Sequence, residues 1–491
     1  MSIKFDTTKL ASLAPSDFIQ KAKKECTVIG KESDYGMSPR LFAYSQTRYS
    51  LFLPFSYARK LYPEAQVGFT DGFSKMSKRV KFDKSGFPFK LELQNNINQK
   101  EVFTEALQIL NTHRSILLSL FCGFGKTYLG IRLSVKIGLK TVILYHRGCL
   151  ALQWEQSITA YVKGARIQLV SKNDKLDPNA DFYLINIANV SKFRDREIKQ
   201  DIHKKLNFYD NVAIGTLIID EVHVACAKEM AKAKRYFRPK YMIGLSATPH
   251  REDGLDGILN LYYGKFAEVR GSRSIESPET TQIVRISQSK FRVMRVNTGI
   301  KPAFATNTMG RKDWNSLLTS LFENEERNRI IFDIIVESHA ADPNNNIMVL
   351  TKRKNHCELL KSMLTEAGIH STIMVGSQTS YDMDARVLLS TFSKLGVGFD
   401  DKRLNILVLA VSIKEVEQYA GRLRAGLKDR IIYDLVDSDP NCFNHWKQRR
   451  RWYLSRRGFI TGWKSAVENG GDDDSDDGNR TEYVRLAPRA K

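Results

Sequence analysis

The chain has 491 residues, 42% of them hydrophobic, with a mean hydropathy of −0.35, and no apolar run reaches the roughly 18–20 residues of a membrane-spanning helix. The 76 Lys and Arg against 54 Asp and Glu leave a net charge of +22, which keeps a chain soluble by self-repulsion and favours a polyanionic partner, nucleic acid before membranes or acidic proteins. Met1 to Pro15 lacks the apolar stretch of a secretory leader, and the scattered cysteines form no Cys-x-x-Cys pair, which argues against disulfide frameworks and zinc ribbons and favours a reducing, intracellular setting.

In chain order, Arg48 to Phe55 reads as a strand ended by Pro54, and the cation-rich, turn-rich stretch Lys75 to Lys90 follows. The aromatics Phe42, Tyr44, Tyr49, Phe52, Phe55 and Tyr57 either stack on bases or form the core of a small sheet. Leu91 to Leu110 becomes helical after Asn98 and places Gln99 at the helix start. Its amide carries a donor and an acceptor, which suits either an adenine edge or solvent.

The apolar run Ile116 to Phe121 then stops at Cys122-Gly123-Phe124-Gly125-Lys126-Thr127, and a helical pattern resumes with Leu129, Ile131 and Leu133. Strand, glycine loop and helix together make a phosphate cradle. Glycines let backbone N–H groups turn inward, and the helix start adds positive potential. Lys126 can reach the β and γ phosphates of ATP, and the Thr127 hydroxyl can ligate Mg2+. The strict pattern wants a glycine where this chain has Leu120, so the match is to its second half.

Thr141 to His146 reads as a buried strand, Cys149 to Val162 as an amphipathic helix with Gln153 and Trp154, and Phe182 to Ile187 as a further strand. Alternation of this kind belongs to a parallel sheet, whose ligands gather at the carboxyl ends of its strands. Thr216 to Ile219 runs directly into Asp220-Glu221-Val222-His223. Carboxylates at the end of a buried strand are costly without a cation. Asp220 is placed to hold Mg2+ through water, Glu221 to orient or deprotonate the attacking water, and His223 to couple this site to the rest of the protein. Tyr241 to Leu245 leads to Ser246-Ala247-Thr248-Pro249, whose hydroxyls can bridge the acids to a moving neighbour.

Further on, Asn346 to Thr351 is a strand before a helix carrying His356 and Leu360, and Arg386 to Phe392 leads to Gly396-Val397-Gly398-Phe399-Asp400. Glu417-Gln418-Tyr419-Ala420-Gly421-Arg422-Leu423-Arg424 follows, and a basic stretch, Lys447 to Arg451, lies near the end.

In this order the motifs from Gln99 to Arg424 resemble those of superfamily 2 helicases, whose phosphate loops commonly lack the first glycine. Asp220 to His223 with Arg251-Glu252-Asp253 is similar to the XPB-like branch, and the loop Cys122 to Thr127 to the poxvirus-type transcript-release helicases of large DNA viruses. The resemblance implies an α/β fold of two tandem RecA-like domains, parallel sheets with helices on both faces, plus a small N-terminal accessory domain. The expected bounds are 1–90 for the accessory domain, 91–270 for the ATP-binding domain and 271–465 for the C-terminal helicase domain, with an acidic, disordered tail over 466–491.

It further implies a nucleic-acid-dependent ATPase that moves along DNA or RNA, usually 3′ to 5′, unwinding it or displacing a transcript. Gln99, Gly123, Phe124, Gly125, Lys126, Thr127, Asp220 and Gln418 are expected to bind ATP, with Thr127 and Asp220 on Mg2+. Lys126, Glu221, Arg422 and Arg424 are expected to be catalytic, the arginines by stabilising charge on the γ-phosphate. The family spaces these two arginines three apart, whereas Arg424 follows Arg422 by two. His223, Ser246, Thr248, Gly398 and Asp400 are expected to couple the ATP cycle to nucleic acid. Basic surfaces such as Lys447 to Arg451 are expected to grip phosphates. Expected partners are nucleic acid and viral transcription machinery, with no membrane, at an intracellular replication or transcription site or in the virion. The alternatives are a duplex-DNA translocase without strand separation and an ATP-switched scaffold.

Overall fold

The computed structural model describes residues 2–6, 17–31, 38–48, 50–61, 72–90, 98–121, 123–172, 174–192, 196–224, 233, 236–247, 254–255, 257–264, 282–285, 291–306, 313–376, 378, 380–395, 401, 403–423, 430–455 and 458–463. The chain divides into two units, Met1–Ile286 and Ser287–Lys491.

In the first unit, β1 (Ser2–Asp6), β4 (Ser45–Gln46) and β5 (Ser50–Pro54) form a small antiparallel sheet, and β2 (Thr27–Ile29) pairs with β3 (Arg40–Phe42). All five residues of β5 are buried. The structure sorts the aromatics of this region one by one. Phe52 and Phe55 are core residues, Phe42 is exposed, and Tyr57 donates its hydroxyl to Glu25 at 2.6 Å. Tyr49 lies outside the described residues. Leu41, Leu51, Leu53, Phe55 and Ala58 share one apolar core with Leu259, Tyr262 and Tyr263 of the helix Gly257–Tyr263, so this lobe is built onto the larger domain rather than tethered to it.

The backbone of the basic stretch after it packs onto the larger domain, while Lys75, Lys78, Arg79, Lys81, Lys84 and Lys90 stay exposed. β6 (Lys81–Phe82) pairs with β9 (Val162–Lys163), Ser74 and Met76 bond through their backbones to Ala213 and Gly138, and Ser77 N–H donates to Asp181 at 2.7 Å. Residues 72–90, grouped by composition with the accessory lobe, therefore line the first large domain.

That domain is a seven-stranded sheet of β7 (Ser115–Leu120), β8 (Thr141–Tyr145), β10 (Ile167–Val170), β11 (Phe182–Asn186), β12 (Thr216–Ile219), β13 (Tyr241–Ser246) and β14 (Gln282–Arg285). The order is β10-β11-β8-β12-β13-β7-β14, every pair parallel. Continuous apolar runs suit it because strands in such sheets are buried on both faces. Ile116, Leu117, Leu118 and Leu120 are all 0% exposed, each worth about 1.5–3 kcal/mol of burial. β14 belongs here by its hydrogen bonds to β7, although the expected boundary at residue 270 assigns it to the second domain.

The second unit repeats the plan with β15 (Arg292–Asn297), β16 (Ile347–Thr351), β17 (Ser371–Met374), β18 (Val387–Thr391), β19 (Ile406–Leu409), β20 (Ile431–Val436) and β21 (Phe459–Trp463), in the all-parallel order β17-β18-β16-β19-β20-β15-β21. Both faces are covered: Met348 and Leu350 enter one apolar cluster, while Ile347 and Val349 enter another. The expected pair of RecA-like domains is the observed architecture. The acidic tail lies outside the described residues, and among the described residues no helix is long and apolar enough to cross a membrane.

Candidate ATP site

Three adjacent strands carry the motifs of the first unit. β13 lies between β12 and β7, with Ile218 opposite Ile243 and Ile243 opposite Ile116. Parallel pairing in this register brings the loops after β7, β12 and β13 to the same end of the sheet.

After β7 the backbone turns through Gly123 and Gly125, with φ of 87° and 100°, into the helix Lys126–Ile137. Only glycine takes these angles without cost. A Cβ at Gly125 would also stand 2.6 Å from Gln99 Nε2. Phe124 is fully buried, edge-on to Phe121, and anchors the loop. Lys126 Nζ donates to the Leu120 carbonyl at 3.1 Å. Leu120 itself is buried, and what it offers the lysine is backbone, which any residue supplies.

Gln99 is 3% exposed and is spent on the protein's own backbone. Nε2 donates to the Phe124 carbonyl at 2.7 Å, and Oε1 accepts from Lys90 N–H at 2.9 Å. Each end of the amide retains capacity for one further bond. The helix Gln99–His113 that carries it is capped by Asn98, whose side chain accepts from Glu101 N–H.

At the end of β12, Asp220 is half-buried with both oxygens engaged. Oδ2 accepts from Trp154 Nε1 at 2.9 Å, and Oδ1 from Glu221 N–H at 3.0 Å. Desolvation first, then the Glu221 charge, pushes its carboxyl up to about 6, while the Trp154 N–H and the nearby Lys126 ammonium pull the other way. Glu221 has a φ of 48°. A non-glycine residue in the left-handed region costs about 1–3 kcal/mol, and such residues cluster at functional sites. His223 Nδ1 lies 3.4 Å from Glu221 Oε2 and 3.0 Å from Ser246 Oγ, joining the acid pair to the end of β13. Thr127 is half-buried at the start of its helix.

Two residues of this cluster carried no role in the sequence reading. Trp154 is 1% exposed and aims its indole N–H at Asp220. His146 follows β8, and its Nδ1 is buried with no hydrogen-bond partner among the described residues. Burial, then the Arg147 and His223 charges, depresses it to about 4, so it is neutral at physiological pH. A local pattern shows neither feature, because the Trp154 acceptor lies 66 residues on and the burial of His146 Nδ1 is set by the fold around it.

The donor set fits Mg2+ held partly by a substrate's phosphates. Among the described residues no group of three or more His, Cys, Asp and Glu forms a metal cage. One hydroxyl and one carboxylate beside a glycine cradle is the sparse protein share that Mg2+ accepts when phosphates and water complete its shell.

In the second unit, the short helix Glu417–Ala420 turns at Gly421 into Arg422, which is half-buried, with its N–H on the Tyr419 carbonyl at 3.0 Å. Tyr419 donates its hydroxyl to the Phe392 carbonyl at 2.9 Å, pinning this turn to the chain after β18. The side chain of Gln418 and all of Thr248, Gly398, Asp400 and Arg424 lie outside the described residues.

Within the basic stretch of the helix Pro440–Ser455, Arg449 departs from expectation. Arg449 is buried, and its Nε and Nη2 bond Asp434 at 2.8 and 2.6 Å. It is a core ion pair and no phosphate contact. Lys447 and Arg451 are exposed.

Residues 92–251 match the family described as Type III restriction enzyme, res subunit. The chain is 30% identical over 414 residues to 161L of Invertebrate iridescent virus 6, a protein named as a helicase, across 79% of this chain and 86% of that one. It is 23% identical over 330 residues to the transcript termination protein A18 of Fowlpox virus, across 62% and 66%. Its fold is similar to the DNA-bound Type ISP restriction-modification enzyme LlaBIII, with a TM-score of 0.50 and 13% identity over 80% of this chain and 33% of that one.

Proposed function

Because this chain belongs to the superfamily 2 helicases and is related to those of large DNA viruses, we propose that its ATP-dependent movement on nucleic acid is powered at the Lys126 and Asp220–Glu221 site and serves to displace nascent transcript or unwind the duplex behind it. The observation that carries the reading is the acid pair itself. Asp220 is tied down at both oxygens, and Glu221 is held in a left-handed turn beside it, on a strand separated only by β13 from the glycine loop.

The chain's residues divide the work. Inward-facing N–H groups of the loop from Gly123 to Lys126 hold the phosphates of the substrate ATP, and the Lys126 ammonium neutralises their charge. Thr127 and Asp220 would hold Mg2+, which when bound shields charge on the β and γ phosphates. Glu221 orients the attacking water and takes its proton. Gln99 sets the loop's position through the Phe124 carbonyl and has one donor and one acceptor left for an adenine edge. Arg422 is the expected source of positive charge from the second unit. His223 and Ser246 relay the state of the acid pair to the end of β13.

Nucleic acid is the partner class, and a viral transcription complex in the infected cell is the setting we favour. Strand displacement by the full chain tests this, using a labelled strand annealed to a longer one with either a 3′ or a 5′ single-stranded tail. The account expects ATP-dependent release from the 3′-tailed substrate. ATP hydrolysis with no release from either substrate, but with eviction of a bound protein from duplex DNA, would replace unwinding with duplex translocation.

A further inference from the structure

We propose that Trp154 is a positioning residue for the metal side of the ATP site: its indole N–H fixes the orientation of the Asp220 carboxylate that faces Mg2+. The inference rests on the reading of Asp220 as the Mg2+-side acid.

Three observations converge on it. Trp154 Nε1 donates to Asp220 Oδ2 at 2.9 Å, while Glu221 N–H holds Oδ1 at 3.0 Å. A carboxylate held at both oxygens cannot rotate about its terminal bond, and each oxygen keeps lone pairs for the water shell of a cation. The indole is itself immobile. It is 1% exposed, and a Cβ added at Gly130 would stand 3.4 Å from its Cη2. Gly130 lies one turn into the helix Lys126–Ile137, so the ring packs close against the helix that begins at the phosphate loop. Finally, Trp154 sits on the helix Gly148–Tyr161, which leaves the sheet directly after β8, the neighbour of β12. One side chain thus braces the acid strand against both the phosphate helix and the next strand-to-helix connection.

A buried tryptophan needs an acceptor for its N–H wherever it packs, so a purely structural role is the competing account, and the test separates the two. Affinity for ADP is measured by calorimetry on the full chain, with Mg2+ and with EDTA, for four proteins. These are the unaltered chain, Trp154→Phe, a chain with benzothienylalanine at position 154, which keeps the ring's shape and lacks the N–H, and Asp220→Asn. The proposal expects the gain in affinity on adding Mg2+ to fall about tenfold in both N–H-less proteins, with affinity in EDTA within about twofold of the unaltered chain, as for a loss confined to metal positioning. An unchanged Mg2+ gain in the benzothienylalanine protein overturns it, whatever Trp154→Phe does, because packing alone is then sufficient. Asp220→Asn separates the proposal from its premise. If that variant loses the Mg2+ gain while the benzothienylalanine protein keeps it, only the positioning role fails. If Asp220→Asn keeps it, the metal-side reading of Asp220 fails and the proposal with it.

Discussion

His223 Nδ1 lies 3.0 Å from Ser246 Oγ, a hydrogen bond between the turn after β12 and the last residue of β13. The same nitrogen is 3.4 Å from Glu221 Oε2, so a single imidazole touches both the residue proposed to orient water and the strand leading to the coupling motif. Replacing Ser246 by alanine removes the far end of this link without altering either acid. The expected outcome is a several-fold drop in the ratio of nucleic-acid-stimulated to basal ATP turnover, with affinity for ATP retained. Steady-state ATPase assays with and without a saturating single strand read the ratio, and an unchanged ratio removes Ser246 from the coupling path.

Glu221→Gln keeps the size of the side chain and one acceptor oxygen and removes its basicity. ATP binding, followed with a fluorescent analogue, is expected to persist while turnover falls by about two to four orders of magnitude, the range general-base catalysis supplies. Loss of binding in this variant would instead assign Glu221 to holding the nucleotide.

The ion pair between Arg449 and Asp434 predicts a stability effect away from the ATP site. Both side chains are 0% exposed, and the Tyr453 hydroxyl adds a third bond to Asp434 at 2.7 Å. Removing one partner strands a buried charge, so Arg449→Leu is expected to lower the unfolding free energy of the second unit by about 3–5 kcal/mol. Arg449→Leu combined with Asp434→Leu should cost less than the sum of the two single changes. Chemical denaturation of the three variants checks the order. Arg451→Ala, at an exposed position on the same helix, should leave stability unchanged and reduce the salt dependence of nucleic-acid binding.

His356 supplies a pH dependence. It is 2% exposed, bonded through Nε2 to Asn328 Oδ1 at 2.9 Å, and lowered to about 3 by burial first and then by the Arg327 charge. The unfolded chain binds this proton near pH 6.5 and the folded chain only near pH 3. Between those values the unfolded state holds more protons, so stability rises with pH. The contribution is fully present above about 6.5 and is lost as pH falls toward 3. His356→Asn should flatten the stability profile in that window by up to about 1.4 kcal/mol per pH unit. Thermal melts of both proteins between those limits make the comparison.

Legibility followed the range of each interaction. β7, β8, β11, β12, β13 and β16 were readable because a buried parallel strand is a continuous apolar run, and the helix Gln99–His113 because its Asn98 cap lies beside it in sequence. Gly123, Gly125 and Lys126 were readable because backbone geometry and reach are local. What stayed hidden depends on partners distant in the chain. Asp434 interrupts the apolar run of β20 and is satisfied by Arg449 from the following helix, so a stretch that reads as a basic surface conceals a core residue. Lys75 to Lys90 reads as a basic, turn-rich part of the accessory domain, while its backbone ties it to the larger domain through Ser77 on Asp181 and β6 on β9. Gln99 reads as an adenine contact or a solvent-facing residue, and only the fold shows its amide holding the Phe124 carbonyl.

The most direct test of the central claim is ATP hydrolysis by the purified full chain, alone and with single-stranded DNA, duplex DNA or RNA, beside Lys126→Ala from the same preparation. The account expects turnover that rises steeply with at least one of these polymers and is abolished in Lys126→Ala at every condition. Turnover that persists in Lys126→Ala would place hydrolysis outside this loop. ATP binding without stimulation by any polymer would contradict the motor and leave an ATP-switched scaffold in its place.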